Sequence, residues 1–216
     1  MVKSLKVWGT IVLLFGLFLA WHQPWGKPLD EEEVVLAFTS VMDAVTPSDA
    51  GIPGAAMEFF MSDDGRPFYM INLNKFEPGA VNPSEADEKG QAANEAKRRY
   101  GLYMLRSLLA RASYPVLSVP RIQTLANSFE ADSIDFDYLT VVRYRSRRDL
   151  LRIITTTEFQ EVVQNKFASL EAFSASPAEI GPTFSLPRLV AIVLLLIGAV
   201  GHYFIGRKRL MGETSA

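Results

Sequence analysis

Asp137-Tyr138-Leu139-Thr140-Val141-Val142-Arg143-Tyr144-Arg145-Ser146-Arg147-Arg148-Asp149 is the stretch on which the fold reading turns. Its first nine residues are rich in β-branched and aromatic side chains, the types that suit a half-buried pleated surface. Ser146 followed three residues later by Asp149 is a capping-box variant and opens a helix expected to run to about Ile154. A strand that passes at once into a helix is one half of a βαβ unit, and the neighbouring segments supply the other half.

Downstream, Thr157-Glu158-Phe159-Gln160 reads as a second capping box. Its helix places Phe159, Val162, Val163, Phe167 and Leu170 on one face, and Ala172 to Ser176 alternates as a final strand. Upstream, Pro115 to Val119 is a short strand bounded by Pro115 and Pro120, which suits an edge. Before it, Ala92 to Ala112 is a long helix with a stripe of Ala93, Ala96, Tyr100, Met104 and Leu108, flanked by Leu105 and Leu109. The basic run Lys97-Arg98-Arg99 on this helix is expected to be a solvated face rather than an anion site. Residues 76–91 are polar, hold Pro78, Gly79, Pro83 and Gly90, and read as a loop.

Pro67 to Phe76 reads as the first core strand. Phe68, Met70, Asn72 and Asn74 share one of its faces; Tyr69, Ile71, Leu73 and Lys75 share the other. Neither face is purely apolar, so one is expected to pack on helices and the other to meet a cavity or a second subunit. Met57 to Met61 before it, with Asp63-Asp64-Gly65 between, is expected to form a hairpin partner strand. Asp30 to Val45 reads as a helix capped by Asp30, with Glu31, Glu32 and Glu33 at its positive end and Val34, Phe38, Val41, Met42 and Val45 on one face. Thr46-Pro47 ends it. The core order is β, long α, β, β, α, β: an α+β, ferredoxin-like (split βαβ) domain over residues 57–178.

The two ends differ from this middle. Val7 to Trp21 is uncharged and apolar, preceded by Lys3 and Lys6; it lacks an A-x-A cleavage pattern and reads as an uncleaved anchor within residues 1–25. Trp21 and Trp25 suit an outer aromatic belt. Leu189 to Ile205, within a span of residues 188–206, is followed by Arg207-Lys208-Arg209 in a tail of residues 207–216. Basic clusters before the first span and after the second place both termini in the cytoplasm. Residues 26–56 (a helix and linker), the domain and a linker of residues 179–187 then lie outside, periplasmic in a bacterial inner membrane. Gly198 and Gly201 offer a small-residue surface for helix contact, and His202 reads as an interfacial histidine.

Between Gly26 and Thr183 there are 16 Lys and Arg against 23 Asp and Glu, a net of −7. An acidic outer part argues against nucleic acid as a partner; the expected partners are the lipid bilayer and either a second copy or the subunits of a membrane complex. The chain has no cysteine and two histidines, so thiolate chemistry and zinc–thiolate sites are excluded. No Ser–His or Cys–His set falls inside the domain, and no glycine-rich phosphate loop occurs. Asp132, Asp135 and Asp137 read as an acidic loop rather than a calcium site. No metal and no cofactor is expected. The best polar constellation is Asn72 and Asn74 on one strand with Arg143 and Arg145 on another, joined by Tyr100. An arginine beside an apolar face suits a carboxylate ligand, and an ion pair with Asp149 or Glu171 is the structural alternative.

Arg66-Pro67-Phe68-Tyr69-Met70-Ile71-Asn72-Leu73, Tyr100, Ser113-Tyr114-Pro115-Val116, Val141 to Asp149, Glu158-Phe159, Lys166 and Ala168-Ser169-Leu170-Glu171 together resemble a small uncharacterised bacterial branch of the dimeric α/β-barrel superfamily. The resemblance covers roughly residues 57–178. It implies a ferredoxin-like protomer that pairs sheet to sheet with a second copy. Haem-binding members rely on a histidine, and this domain has only His22 at its membrane edge. Relatives often carry glycine near Ala112-Ser113. The resemblance therefore carries the fold and no catalytic residue. A noncatalytic membrane-anchored module, self-associating or accessory to a complex, is the expected function; the alternative is a small-molecule-binding protein or enzyme using the barrel lumen.

Overall fold

The computed structural model describes residues 2–45, 52–81, 84, 86–120, 135–179 and 185–213. Asp132, the 46–47 helix stop and most of the acidic loop lie outside these residues, as do the side chains of Lys3, Val41, Met42, Val45 and the 207–209 basic cluster. Two compact units are present: Pro24–Glu179, and a second made of Met1–Gln23 with Ile180–Ala216.

The second unit is a pair of helices, α1 (Val2–His22) and α8 (Leu186–Glu213). A Cβ built on Gly198 would lie 2.6 Å from Ile11 Cδ1 and 2.8 Å from a ring carbon of Trp8, and one on Gly201 would lie 3.5 Å from Val7 Cγ1. The missing side chains thus let α8 approach α1 closely, as small residues do where apolar helices pack. These contacts run in opposite chain directions, so residue 6 and residues 207–209 fall at the same end of the pair. Away from the seam, Leu13, Leu17, Leu195, Leu196 and Ile197 are exposed. Both helices are long and apolar enough to cross a bilayer by length and composition.

The larger unit is a four-stranded antiparallel sheet whose described helices pack on one face. The strands are β1 (Phe68–Phe76), β2 (Tyr114–Pro120), β3 (Tyr138–Tyr144) and β4 (Leu170–Ala178), in the order β2-β3-β1-β4. The long α5 (Glu88–Leu109) joins β1 to β2; α6 (Arg147–Ile154) and α7 (Thr157–Ala168) join β3 to β4. Each βαβ unit is split by a strand of the other, which is the ferredoxin-like arrangement read from the sequence. Proline-bounded β2 is an edge strand, as expected.

Register sorts the side chains. Phe68 lies opposite Tyr144, Met70 opposite Val142, and Asn72 opposite Thr140. That face meets the helices: Phe68, Val142 and Tyr144 join Leu108, Ile153, Phe159 and Val163 in the main buried cluster. Phe68 and Tyr144 stack with ring centroids 5.0 Å apart.

Several boundaries differ from the sequence reading. Met57–Met61 is not a strand but the end of helix α3 (Ile52–Met61), so Asp64-Gly65 turns a helix into β1 rather than closing a hairpin. Phe59 packs edge-on against Phe68 and Phe60 against Phe38, so two adjacent aromatics serve two neighbouring clusters. The polar segment after β1 contains a short α4 (Pro78–Val81), and α5 begins at Glu88, where the Asp87 carboxylate accepts from Gly90 N at 2.8 Å. The second capping residue is Thr156, not Thr157, accepting from Phe159 N at 3.2 Å. Leu170 opens β4 instead of closing α7. The other caps stand where expected: Ser146 Oγ accepts from Asp149 N, and Asp30 and Glu33 form a reciprocal box opening α2 (Glu31–Val45).

Candidate functional site

A cavity of about 390 Å³ lies between α5 and the helix-facing side of the sheet, within the size range of small-molecule sites. Asn72 and Asn74 reach it from β1, Tyr100 and Met104 from α5, and Lys166 from α7. Three of the five candidate residues therefore meet here. Asn72 Nδ2 is engaged with the backbone, donating to Met70 O at 3.3 Å and Thr140 O at 3.5 Å.

Arg143 and Arg145 are not part of it. Arg143 pairs with Tyr69 across β1 and β3, one residue out of phase with Asn72 and Thr140, so its side chain leaves the opposite face of the sheet. It is 3% exposed, donates from Nη1 to Ala112 O at 3.0 Å, and sits over the Tyr114 ring at 5.5 Å. Burial lowers its pKa. Its role is to tie β3 to the α5–β2 turn, where Ala112 is held at φ 51°, a left-handed conformation that favours glycine. Arg145 makes a two-pronged bond to Asp149, 2.8 Å from Nε to Oδ2 and 3.0 Å from Nη2 to Oδ1. The structural alternative for Arg145 is the observed arrangement. Glu171 pairs with Lys75 instead, at 3.7 Å. Asp137 Oδ2 accepts from Phe76 N at 3.0 Å and so secures a strand end. Among the described residues no cluster of three metal-ligating side chains occurs.

Two lysines outside the candidate set, Lys97 and Lys166, are the chemically distinctive members of the cavity. Lys97 belongs to the basic run read as solvated. Its neighbours Arg98 and Arg99 do pair with exposed Glu95, but Lys97 turns inward. Its Nζ donates to Ala80 O at 3.1 Å and lies 4.2 Å from the Phe76 ring centroid, and burial lowers its pKa. Lys166 Nζ lies 4.2 Å from the Phe173 ring, and no carboxylate pairs with it among the described residues. Loss of hydration pushes its pKa down to about 8. Tyr100 and Tyr144, both lining the same space, are raised by burial. No periodicity rule separates such a lysine from a solvated one; its amphipathic stem allows either.

The low Lys166 pKa has a consequence for stability. Below pH 8 both the folded and unfolded chains hold the proton, and the folded state bears the full cost of the poorly hydrated charge. Between pH 8 and the ordinary 10.5 the unfolded chain binds more protons, so stability rises with pH through that window. The side chain keeps partial exposure, which lets water screen part of the cost. Lys166→Met is expected to stabilise the protein by about 1 kcal/mol at pH 7. In urea titrations repeated at rising pH, the advantage should shrink steadily towards pH 10.5.

No family model and no curated protein matches the chain. Among solved structures, the RPA0582 protein of unknown function from Rhodopseudomonas palustris aligns at 19% identity and a TM-score of 0.50, covering 64% of this chain and 98% of that one. An uncharacterised NIPSNAP-like domain protein from Burkholderia xenovorans aligns at 14% identity and a TM-score of 0.34, covering 56% and 89%. At such identities the likeness speaks of fold alone: this chain is similar in fold, over about two thirds of its length, to the Rhodopseudomonas palustris protein.

Proposed function

We propose that the chain is a two-pass protein of the bacterial cytoplasmic membrane with both termini inside. It holds its α+β unit on the outer side as a noncatalytic module. Two copies pair through the open faces of their sheets, in the manner of the dimeric α/β barrels that the sequence resembles. The observation that carries this reading is the composition of the open face. Leu117, Val141 and Ile71 lie in one row across β2, β3 and β1, and Val119, Leu139 and Leu73 in the next. Neither buried cluster includes any of these six residues, and Leu117 and Val119 are exposed. A contiguous apolar patch on one sheet face is the usual mark of an interaction site. The helix pair supports the membrane half of the proposal, because its apolar side chains point outward on all sides except its own seam.

Native mass spectrometry of the full chain from mild detergent should show two protomers. The double substitution Ile71→Lys/Leu139→Lys should give one protomer without lowering the unfolding midpoint. A single protomer for the unsubstituted chain, or a pair that survives both lysines, would reject pairing through this face. The absence of cysteine makes the membrane half equally direct to test. A cysteine at Arg66, whose side chain is 80% exposed, should react in intact cells with a membrane-impermeant maleimide; protection until lysis would place the unit inside.

A further inference from the structure

We propose that the cavity between α5 and the sheet binds a small organic acid with an apolar body, its carboxylate held by Lys166 and oriented by Tyr100 and Tyr144. This site lies on the helix side of the sheet and does not rest on the pairing of open faces.

Lys97 and Lys166 enter one cavity from two different helices, and no Asp or Glu lines it. Lys97 is already engaged by Ala80 O and the Phe76 ring. Lys166 Nζ has only the Phe173 ring among the described residues. A cation–π contact replaces part of the lost hydration and supplies no hydrogen-bond acceptor in line with the N–H groups. An ammonium in that position is a donor set without an anion. Tyr100 and Tyr144 add two hydroxyls for which no side-chain hydrogen bond is formed within the described residues, and burial keeps both protonated, hence donors.

The rest of the lining sets the ligand's other end. Phe76, Met104, Leu108 and Val142 present carbon rather than polar atoms. Binding sites for small molecules combine such an apolar wall with a few convergent polar groups. A phosphate or sulfate would leave those walls unused, and a neutral hydrocarbon would leave the ammonium uncompensated. A monocarboxylate with an alkyl or aryl body satisfies both.

Hexanoate and hexanol are suitable probes, since they share a body and differ in the head group. Calorimetric titration would use the full chain in nanodiscs of zwitterionic lipid near neutral pH, with empty nanodiscs as the blank. Hexanoate should bind the unsubstituted protein. Lys166→Met should weaken hexanoate about tenfold or more, the scale of one charge-assisted hydrogen bond. It should leave hexanol within about twofold, and Lys166→Arg should retain most of the hexanoate affinity. Because Lys166→Met is expected to stabilise the fold, its loss of binding is not confused with unfolding, and an unfolding midpoint measured alongside verifies this. Three results would overturn the proposal: no hexanoate heat above the blank, equal affinity for hexanoate and hexanol, or undiminished hexanoate binding by Lys166→Met.

Discussion

Gly90→Ala and Gly101→Ala, two identical changes in the same helix, are expected to shift stability in opposite directions. Helix α5 crosses the short α4 backbone to backbone. A Cβ on Gly90 would stand 2.5 Å from Gly79 Cα, and one on Gly79 would stand 2.0 Å from Gly90 Cα and 2.7 Å from its carbonyl carbon. No rotamer relieves such a contact, because the atoms in the way are main chain. Helix α4 must move off, uncovering Ala80, now fully buried, and pulling Ala80 O away from Lys97 Nζ and Asn94 Nδ2. Overpacking of this kind costs about 2–3 kcal/mol. Gly101 has no atom within 4 Å of where its Cβ would be. Alanine there removes only the entropy penalty of a mid-helix glycine, a gain of about 0.5–1 kcal/mol. Guanidinium titration of the full chain in mild detergent, followed by circular dichroism, should show the two midpoints on either side of the unsubstituted one. Equal midpoints would mean that α4 does not sit against α5 as described.

Asp149→Ala should be at least as damaging. Asp149 is 3% exposed and accepts from Arg145 Nε, Arg145 Nη2 and Ser146 Oγ, while its own amide is capped by Ser146. This one carboxylate therefore joins the end of β3 to the first turn of α6. Removing it leaves a partly buried guanidinium without its anion, which costs about 3 kcal/mol. The double change Arg145→Met/Asp149→Leu should recover most of the loss, since neither charge then has to be desolvated. By contrast, Glu95→Ala on α5 breaks two equally well-formed ion pairs in full solvent and should not move the midpoint measurably. A large Glu95 effect, or a double variant no better than Asp149→Ala, would contradict the assignment of the Arg145–Asp149 pair as the buried tie.

Much of the architecture was legible because it depends on local chemistry. Ser146, Asp30 and the acidic first turn of α2 announce helix starts through the needs of unpaired backbone N–H groups, and these needs are met within three residues. The apolar stripe of α5, with Ala93, Ala96 and Leu108 buried as expected, follows from a fixed turn of the helix. The prolines flanking β2 mark an edge because a missing N–H cannot be paired.

Where local chemistry was ambiguous, packing decided. Four apolar residues around Glu58 at 57–61 suit either a strand or a helix end, and only packing against Phe38 and Phe68 selects the helix. Alternation along β1 and β3 showed that Asn72 and Asn74 share a face, and likewise Arg143 and Arg145. It could not show that Asn72 and Arg143 lie on opposite faces, because that depends on the register between strands distant in sequence. The same register assembled the apolar open face and left Arg143 to hold a turn. Lys97 and Lys166 carry no sequence mark of their own. A flexible stem lets a lysine reach water from almost any position, and only the closure of α5 and α7 over the sheet directs these two ammonium groups into a shared cavity. The sequence by itself thus determined the four core strands and the helices between them, their order and the apolar ends. The tertiary structure alone decided which side chains face each other, since facing is a property of pairing and packing between segments and not of any one segment.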